Sequence, residues 1–211
     1  MTDESLESPT GQKSNRRELM AAIILGIAAV LTALASFNSS TSGGDAANLR
    51  TDAGRTLGDA NFFYSQANQT SAGDQSLFVA YASALQQDNA DLADYLTTLM
   101  RPEMQEAVDW WITTDEADTP FDELEGNPYV LSDLEEANQL EATAAQQVED
   151  SGTADDKAAK FDLATVLLAL TLFFAGVATL FHKNSVTRML LAVGSVTLLL
   201  GTGIFVQGLT A

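Results

Sequence analysis

The apolar positions of this chain fall into two kinds of pattern. From Leu19 to Phe37 the sequence LMAAIILGIAAVLTALASF carries no charge over 19 residues, enough for a helix of about 28 Å at 1.5 Å per residue. A second uncharged run lies within residues 161–182 and a third spans 189–209, separated by the short link 183–188. Each is long enough to cross a bilayer, and the link admits only a tight helical hairpin.

Between the first two runs the pattern becomes amphipathic. Ala46, Leu49, Ala53, Leu57, Ala60, Phe63 and Ala67 advance 21 residues in six steps, a mean of 3.5, which predicts a helical seam lined by small residues. Ser42-Gly43-Gly44 stands before it, where the helix is expected either to kink or to run through with neighbours close against the glycines. Ser71-Ala72-Gly73-Asp74 reads as a break, with Asp74 as N-cap of a second helix presenting Leu77, Tyr81, Leu85, Leu92, Leu96 and Leu99, and with Asp88 on or near that stripe.

Pro102 suits the first turn of a third helix carrying Met104, Val108, Trp111 and Ile112. Residues 113–127 are acidic, hold Pro120 and Gly126, and show no period, so a loop is expected. Leu131, Leu134, Ala137, Leu140, Ala144 and Val148 restore a helical face, interrupted only by Ser151-Gly152 before the second apolar run. No segment alternates as a strand would. The fold class is therefore all-α: three transmembrane helices, with an extracytoplasmic helical stalk or bundle inserted between spans one and two.

Charge orients this arrangement. Lys13, Arg16 and Arg17 precede the first span, and Lys183 and Arg188 lie between the second and third, so the N-terminus and the short loop are expected inside. The predicted organisation is a cytoplasmic tail without fixed structure at 1–18, spans at 19–37, 161–182 and 189–209, an acidic extracytoplasmic domain at 38–160, and a cytoplasmic loop at 183–188. Arg16-Arg17 before an apolar run ending near Ala33-Leu34-Ala35 imitates a cleavable signal, but the run is long for one, and an uncleaved anchor is expected.

Residues 38–160 hold 24 Asp and Glu against five Lys and Arg, a net charge of −19. Such a field excludes nucleic acid as a partner, repels anionic lipid and attracts cations and basic partners. It also suits a salty habitat, where screening relieves self-repulsion.

The layout resembles a group of small, uncharacterised prokaryotic three-pass membrane proteins. Similarity lies in the Ala-rich first span, in Arg101-Pro102-Glu103 followed by Trp110, in the pairs Pro120-Phe121 and Pro128-Tyr129, in the run EANQLEATA and in the second span. The resemblance implies an outer helical segment between spans and brings no activity with it. This chain departs from the group in its glycine-rich junction and its heavy acidity.

Residues that carry chemistry are few. No cysteine is present and His182 is the single histidine, so disulfides, Cys-ligated metals and multi-histidine metal sites within one chain are excluded. His182 reads as a solvated side chain at the inner membrane face. Lys157 and Lys160 are the only outer lysines, and no base is positioned by pattern beside a Ser or Thr. Asp115, Glu116, Asp118, Asp122, Glu123 and Glu125 lie within eleven residues but lack the glycine and terminal glutamate of an EF-hand, so a solvated loop is expected in preference to a weak Ca²⁺ or Mg²⁺ site.

Of the adjacent Trp110 and Trp111, one is expected to face the core and the other to pack under the acidic loop or meet a partner. Asn38-Ser39-Ser40 and Asn68-Gln69-Thr70 match the glycosylation triplet, a pattern frequent by chance. The spans lack internal ionisable groups, which argues against a transporter, while Ala22 with Gly26 and Ala29 with Ala33 permit close helix packing.

The expectation is a membrane protein that is not an enzyme. It has no catalytic, cofactor or metal residues, and the lipid bilayer is its environment. Its outer domain is a structural, accessory or interaction module with a protein partner or self-association. The alternative is a cation-responsive sensor or homo-oligomeric channel.

Overall fold

A computed structural model describes residues 9–114, 118–181 and 184–210, with the side chains of 9–18 and 184 outside the description. His182, Lys183, Asp115 and Glu116 lie outside the described residues, as do the side chains of Lys13, Arg16 and Arg17. The elements among the described residues are five α-helices: α1 Pro9–Gln86, α2 Ala90–Thr97, α3 Pro102–Thr113, α4 Ser132–Leu180 and α5 Asn184–Thr210. Three of them, α1, α4 and α5, are long and apolar enough to cross a membrane.

The chain forms two compact units, one made of the chain up to Thr51 together with Gln147 onward, the other of Asp52–Gln146. The segments 38–51 and 147–160, expected to belong to the outer domain, thus group with the spans.

α1 reaches back to Pro9, so the tail expected without structure at 1–18 is helical over its second half. Proline is tolerated in a first turn because its missing N–H has no helical partner there, and a helix propagates easily once the apolar run has nucleated it. The break expected at Ser71–Asp74 is absent, since α1 continues to Gln86. Gly73 weakens the helix by about 1 kcal/mol, but Asp74 is buried on the helix's inner face and bonded there, which outweighs that cost.

The actual stop comes at Asp88, which takes a left-handed φ of 54°. Asn89 then caps α2 by accepting from the Leu92 N–H at 3.2 Å. The predicted stripe from Leu77 to Leu99 is accordingly divided between α1, α2 and the turn after α2: Tyr81 is buried and Leu77 and Leu96 pack on the core, while Leu85, Leu92 and Leu99 are exposed.

Burial along α1 follows one seven-residue frame from residue 21 to residue 81. Ala21, Ala28, Ala35 and Ser42 occupy one seam position; Ala46, Ala53, Ala60, Ala67, Asp74 and Tyr81 occupy the next. The step from 42 to 46 is the ordinary four-residue spacing between two seam positions, so the frame passes through Gly43-Gly44 without a stutter. No atom lies within 4 Å of a Cβ built on either glycine, so the helix runs through and no neighbour presses against them. α4 behaves alike: Ala137, Ala144 and Ser151 keep seven-residue spacing, and α4 passes Ser151-Gly152 unbroken.

Within the first unit, α1 and α4 are antiparallel, tied by Ser39 Oγ donating to Asp162 at 2.5 Å and by an Arg50–Asp155 ion pair. α5 packs along α4 through glycines seven residues apart. Gly194 lies over Ala175 and Thr171, Gly201 over Leu168 and Leu167, and Gly208 over the Phe161 ring. A Cβ at Gly208 would fall 2.8 Å from a ring carbon of Phe161. Ala35, Phe161, Ala164, Leu168 and Phe205 form the shared core, and Thr171 and Thr197 bond each other at 2.9 Å.

Candidate functional site

In the second unit Phe78, Tyr81, Ala84, Ala93, Met100, Met104 and Val108 make the core. α3 begins at Pro102, as predicted, and buries Met104, Ala107 and Val108, spaced for one face. Trp111 packs edge-on against Phe78, with ring centres 5.1 Å apart. Phe121 meets Phe78 at 5.6 Å and Tyr129 at 4.9 Å, both edge-on. Such contacts add about 1 kcal/mol each beyond area burial. Trp110 is half-buried beside Gly126, so the second tryptophan does pack under the acidic loop.

That loop is knitted together rather than merely solvated. Asp122 accepts from the Asp118 N–H at 2.7 Å, the Thr119 N–H at 3.1 Å and the Thr119 hydroxyl at 2.7 Å. These bonds, led by the Thr119 hydroxyl, hold its carboxyl below the ordinary value. Asn127 donates to the Pro120 and Asp122 carbonyls and accepts from the Tyr129 N–H. Gly126 takes a φ of +86°, a conformation open to glycine at little cost.

The polar centre of the unit is Asp74, 7% exposed and standing at a seam position that α1 otherwise fills with alanine. Its Oδ2 accepts from Arg101 Nε at 2.7 Å and from the Tyr129 hydroxyl at 2.9 Å. The Arg101 guanidinium also bonds Glu103 at 3.0 Å and lies 5.0 Å from the centre of the Tyr129 ring. Burial by itself would lower the Arg101 pKa; the interactions with Asp74 and Tyr129 together outweigh it, and the pKa is raised. Burial, with the neighbouring Asp74 carboxylate, pushes the Tyr129 hydroxyl up. Among the described residues Arg101 Nη2 is buried without a hydrogen-bond partner.

Beside this cluster a cleft of about 350 Å³ is lined by Ser71, Gln75, Phe121, Asp122, Asn127 and Tyr129 among others. A smaller one of about 250 Å³ lies by Tyr81, Thr97, Gln105 and Asp109. Among the described residues no three His, Asp or Glu side chains gather in a way that could hold a metal ion.

Sequence reasoning took Asp74 as a helix cap and left Arg101 without a role. The available signal was an acid falling in the frame of Ala46, Ala53, Ala60 and Ala67, together with one of two basic residues within 52–146. Of the acidic run, Asp122 is structural and Glu123 borders the cleft, while Asp118 supplies a backbone donor. No family model, curated protein or solved structure matches this chain.

Proposed function

We propose that this protein is a non-enzymatic, multi-pass membrane protein whose outer helical domain is a structural, accessory or interaction module. The observation that carries this reading is the unbroken seven-residue frame of α1 from Ala21 to Tyr81, in which the one buried charge, Asp74, is engaged internally by Arg101 and Tyr129. A helix of this kind holds a scaffold, and its polar centre orders a fold instead of facing a substrate.

The basic residues before the first span and in the short loop support a cytoplasmic N-terminus, with 38–160 outside the cell membrane. The prokaryotic three-pass group that the chain resembles shares this plan. Its surroundings are the lipid bilayer and a protein partner or a second copy, and no nucleic acid. The test is crosslinking through the outer domain in native membranes, followed by mass spectrometry. A defined heterologous or self-crosslink is expected; a strictly monomeric protein that captures nothing overturns the reading.

The excess of 19 acids over two basic residues within 52–146 favours a second reading, a cation-responsive sensor or homo-oligomeric channel. Conductance in reconstituted bilayers, or helicity that changes with millimolar Ca²⁺ or Mg²⁺, is its measurement. Flat responses in both exclude it.

A further inference from the structure

α2 uses only one of its two apolar faces. Ala93 of α2 and Met100 of the turn after it are buried and Leu96 packs on the core, which is sufficient to seat the helix. Leu92 and Tyr95 of α2, and Leu99 in the turn that follows it, stand at spacings of three and four and are 42%, 60% and 55% exposed. Single exposed leucines are ordinary; three large apolar groups exposed within eight residues, over a short helix and the turn that ends it, mark a contact surface.

Asp88, just before α2, and Asp91 and Asp94 on it stand exposed, and none of them joins an ion pair among the described residues. Arg101, the closest cation in sequence, is engaged by Asp74 and Glu103. The row is therefore apolar with a purely acidic border.

From this we infer that the Leu92–Tyr95–Leu99 row docks a basic amphipathic helix of a partner protein. The inference rests on the interaction-module reading and names its surface. Complementarity selects the occupant: apolar residues at helical spacing fill the row, and Lys or Arg beside them meet Asp91 and Asp94. A second copy is the poorer occupant, because residues 52–146 carry a net charge of −17 in each molecule. Anionic lipid is repelled for the same reason.

The test uses the full chain in lipid nanodiscs and a synthetic Leu/Lys peptide patterned as an amphipathic helix, with binding read by fluorescence anisotropy. Controls are the same composition scrambled and a Leu/Glu version. The patterned Leu/Lys peptide is expected to bind. Tyr95→Ser with Leu99→Ser should weaken it about tenfold, as loss of central apolar anchors does. Asp91→Asn with Asp94→Asn should weaken it severalfold and flatten its salt dependence. Phe62→Ser with Val79→Ser, at similarly exposed positions on α1, outside the row, should leave binding unchanged. All the substituted side chains are exposed, and circular dichroism checks that each variant stays folded.

Equal binding of the scrambled peptide would reduce the effect to bulk charge and overturn the proposal. So would indifference to the row variants, or a dimer lost in them, which makes a second copy the occupant. A native crosslinked partner seated away from α2 overturns this site while leaving the interaction module standing. Absence of any crosslink overturns the module itself.

Discussion

The two units solve the same packing problem with opposite materials. In the unit of the spans, α5 meets α4 through Gly194, Gly201 and Gly208, so closely that Gly208 leaves no space for a methyl group against Phe161. In the unit of residues 52–146, Phe78, Trp111, Phe121 and Tyr129 meet edge to edge around Met104 and Val108. On the proposed reading, in which α1, α4 and α5 cross a bilayer and residues 52–146 lie outside it, the difference follows from solvent. Lipid tails reward no burial of apolar area, so helices that cross them associate by close approach and dispersion, for which small residues are required. Water rewards burial at about 25 cal/mol per Å², so large aromatics are the effective material there.

This contrast can be broken from either side. The largest expected effect is Phe78→Ala, which removes the ring shared by Trp111 and Phe121 and should destabilise the 52–146 unit by about 3–4 kcal/mol in denaturant unfolding followed by tryptophan fluorescence. Asp74→Ala restores the alanine of the α1 frame, so it tests charge with little change in packing. Left beside a half-buried guanidinium without its carboxylate, the unit should lose about 3 kcal/mol. An unchanged transition would mean that Arg101 finds Glu103 sufficient.

In the spans, Gly208→Ala should cost about 2 kcal/mol, since the ring of Phe161 is boxed in by Phe205 and Ala164 and can yield only with strain. Gly43→Ala, with open space around it on the same kind of helix, should instead stabilise by about 0.5–1 kcal/mol. Opposite signs in detergent melting would establish that approach distance, and not glycine content, governs the α4–α5 contact. Thr171→Val should cost only about 0.6 kcal/mol, the usual worth of a polar pair between spans, because Thr197 retains its own helix carbonyls as acceptors.

The smallest effect concerns acid. Asp122 has a folded pKa below its ordinary 3.8, so its bonds to Thr119 and Asp118 are fully present above pH 3.8 and are lost as pH falls through the lower folded value. Trp110, beside Gly126 of that loop, reports it: fluorescence should change below that pH in the wild type, and Asp122→Asn should abolish the transition. Tyr129 works at the other extreme. Its pKa is raised, so its contribution is complete below pH 10 and declines as pH rises through the folded value.

Much of the architecture was legible because it follows from local pattern. The three apolar runs, the start of α3 at Pro102 and the seam of Ala46, Ala53, Ala60 and Ala67 each depend on spacing along one chain. The candidate cluster was not legible, because Asp74, Arg101 and Tyr129 lie on three separate segments and nothing in their neighbours specifies that they meet. Asp74 was misread for a definite reason: Ser-Ala-Gly-Asp has turn chemistry, and local chemistry describes an isolated segment, whereas a buried ion pair overrides it. Phe121 and Tyr129 stood out only as proline–aromatic pairs, and their convergence on Phe78 is a product of the loop's path.

The sequence by itself determined that the fold of the described residues is all-α, that three of its helices are long and apolar enough to cross a membrane and that the segment between the first two is strongly acidic. Those properties depend on periodicity, run length and composition, which are local or additive along the chain. Tertiary structure decided that α1 runs unbroken to Gln86, that the glycines of α5 rather than those of the 43–44 junction make the close contact, and that Asp74 anchors the fold. These outcomes depend on which side chains meet across distant segments, where one buried bond of several kcal/mol outweighs a local preference of about 1 kcal/mol.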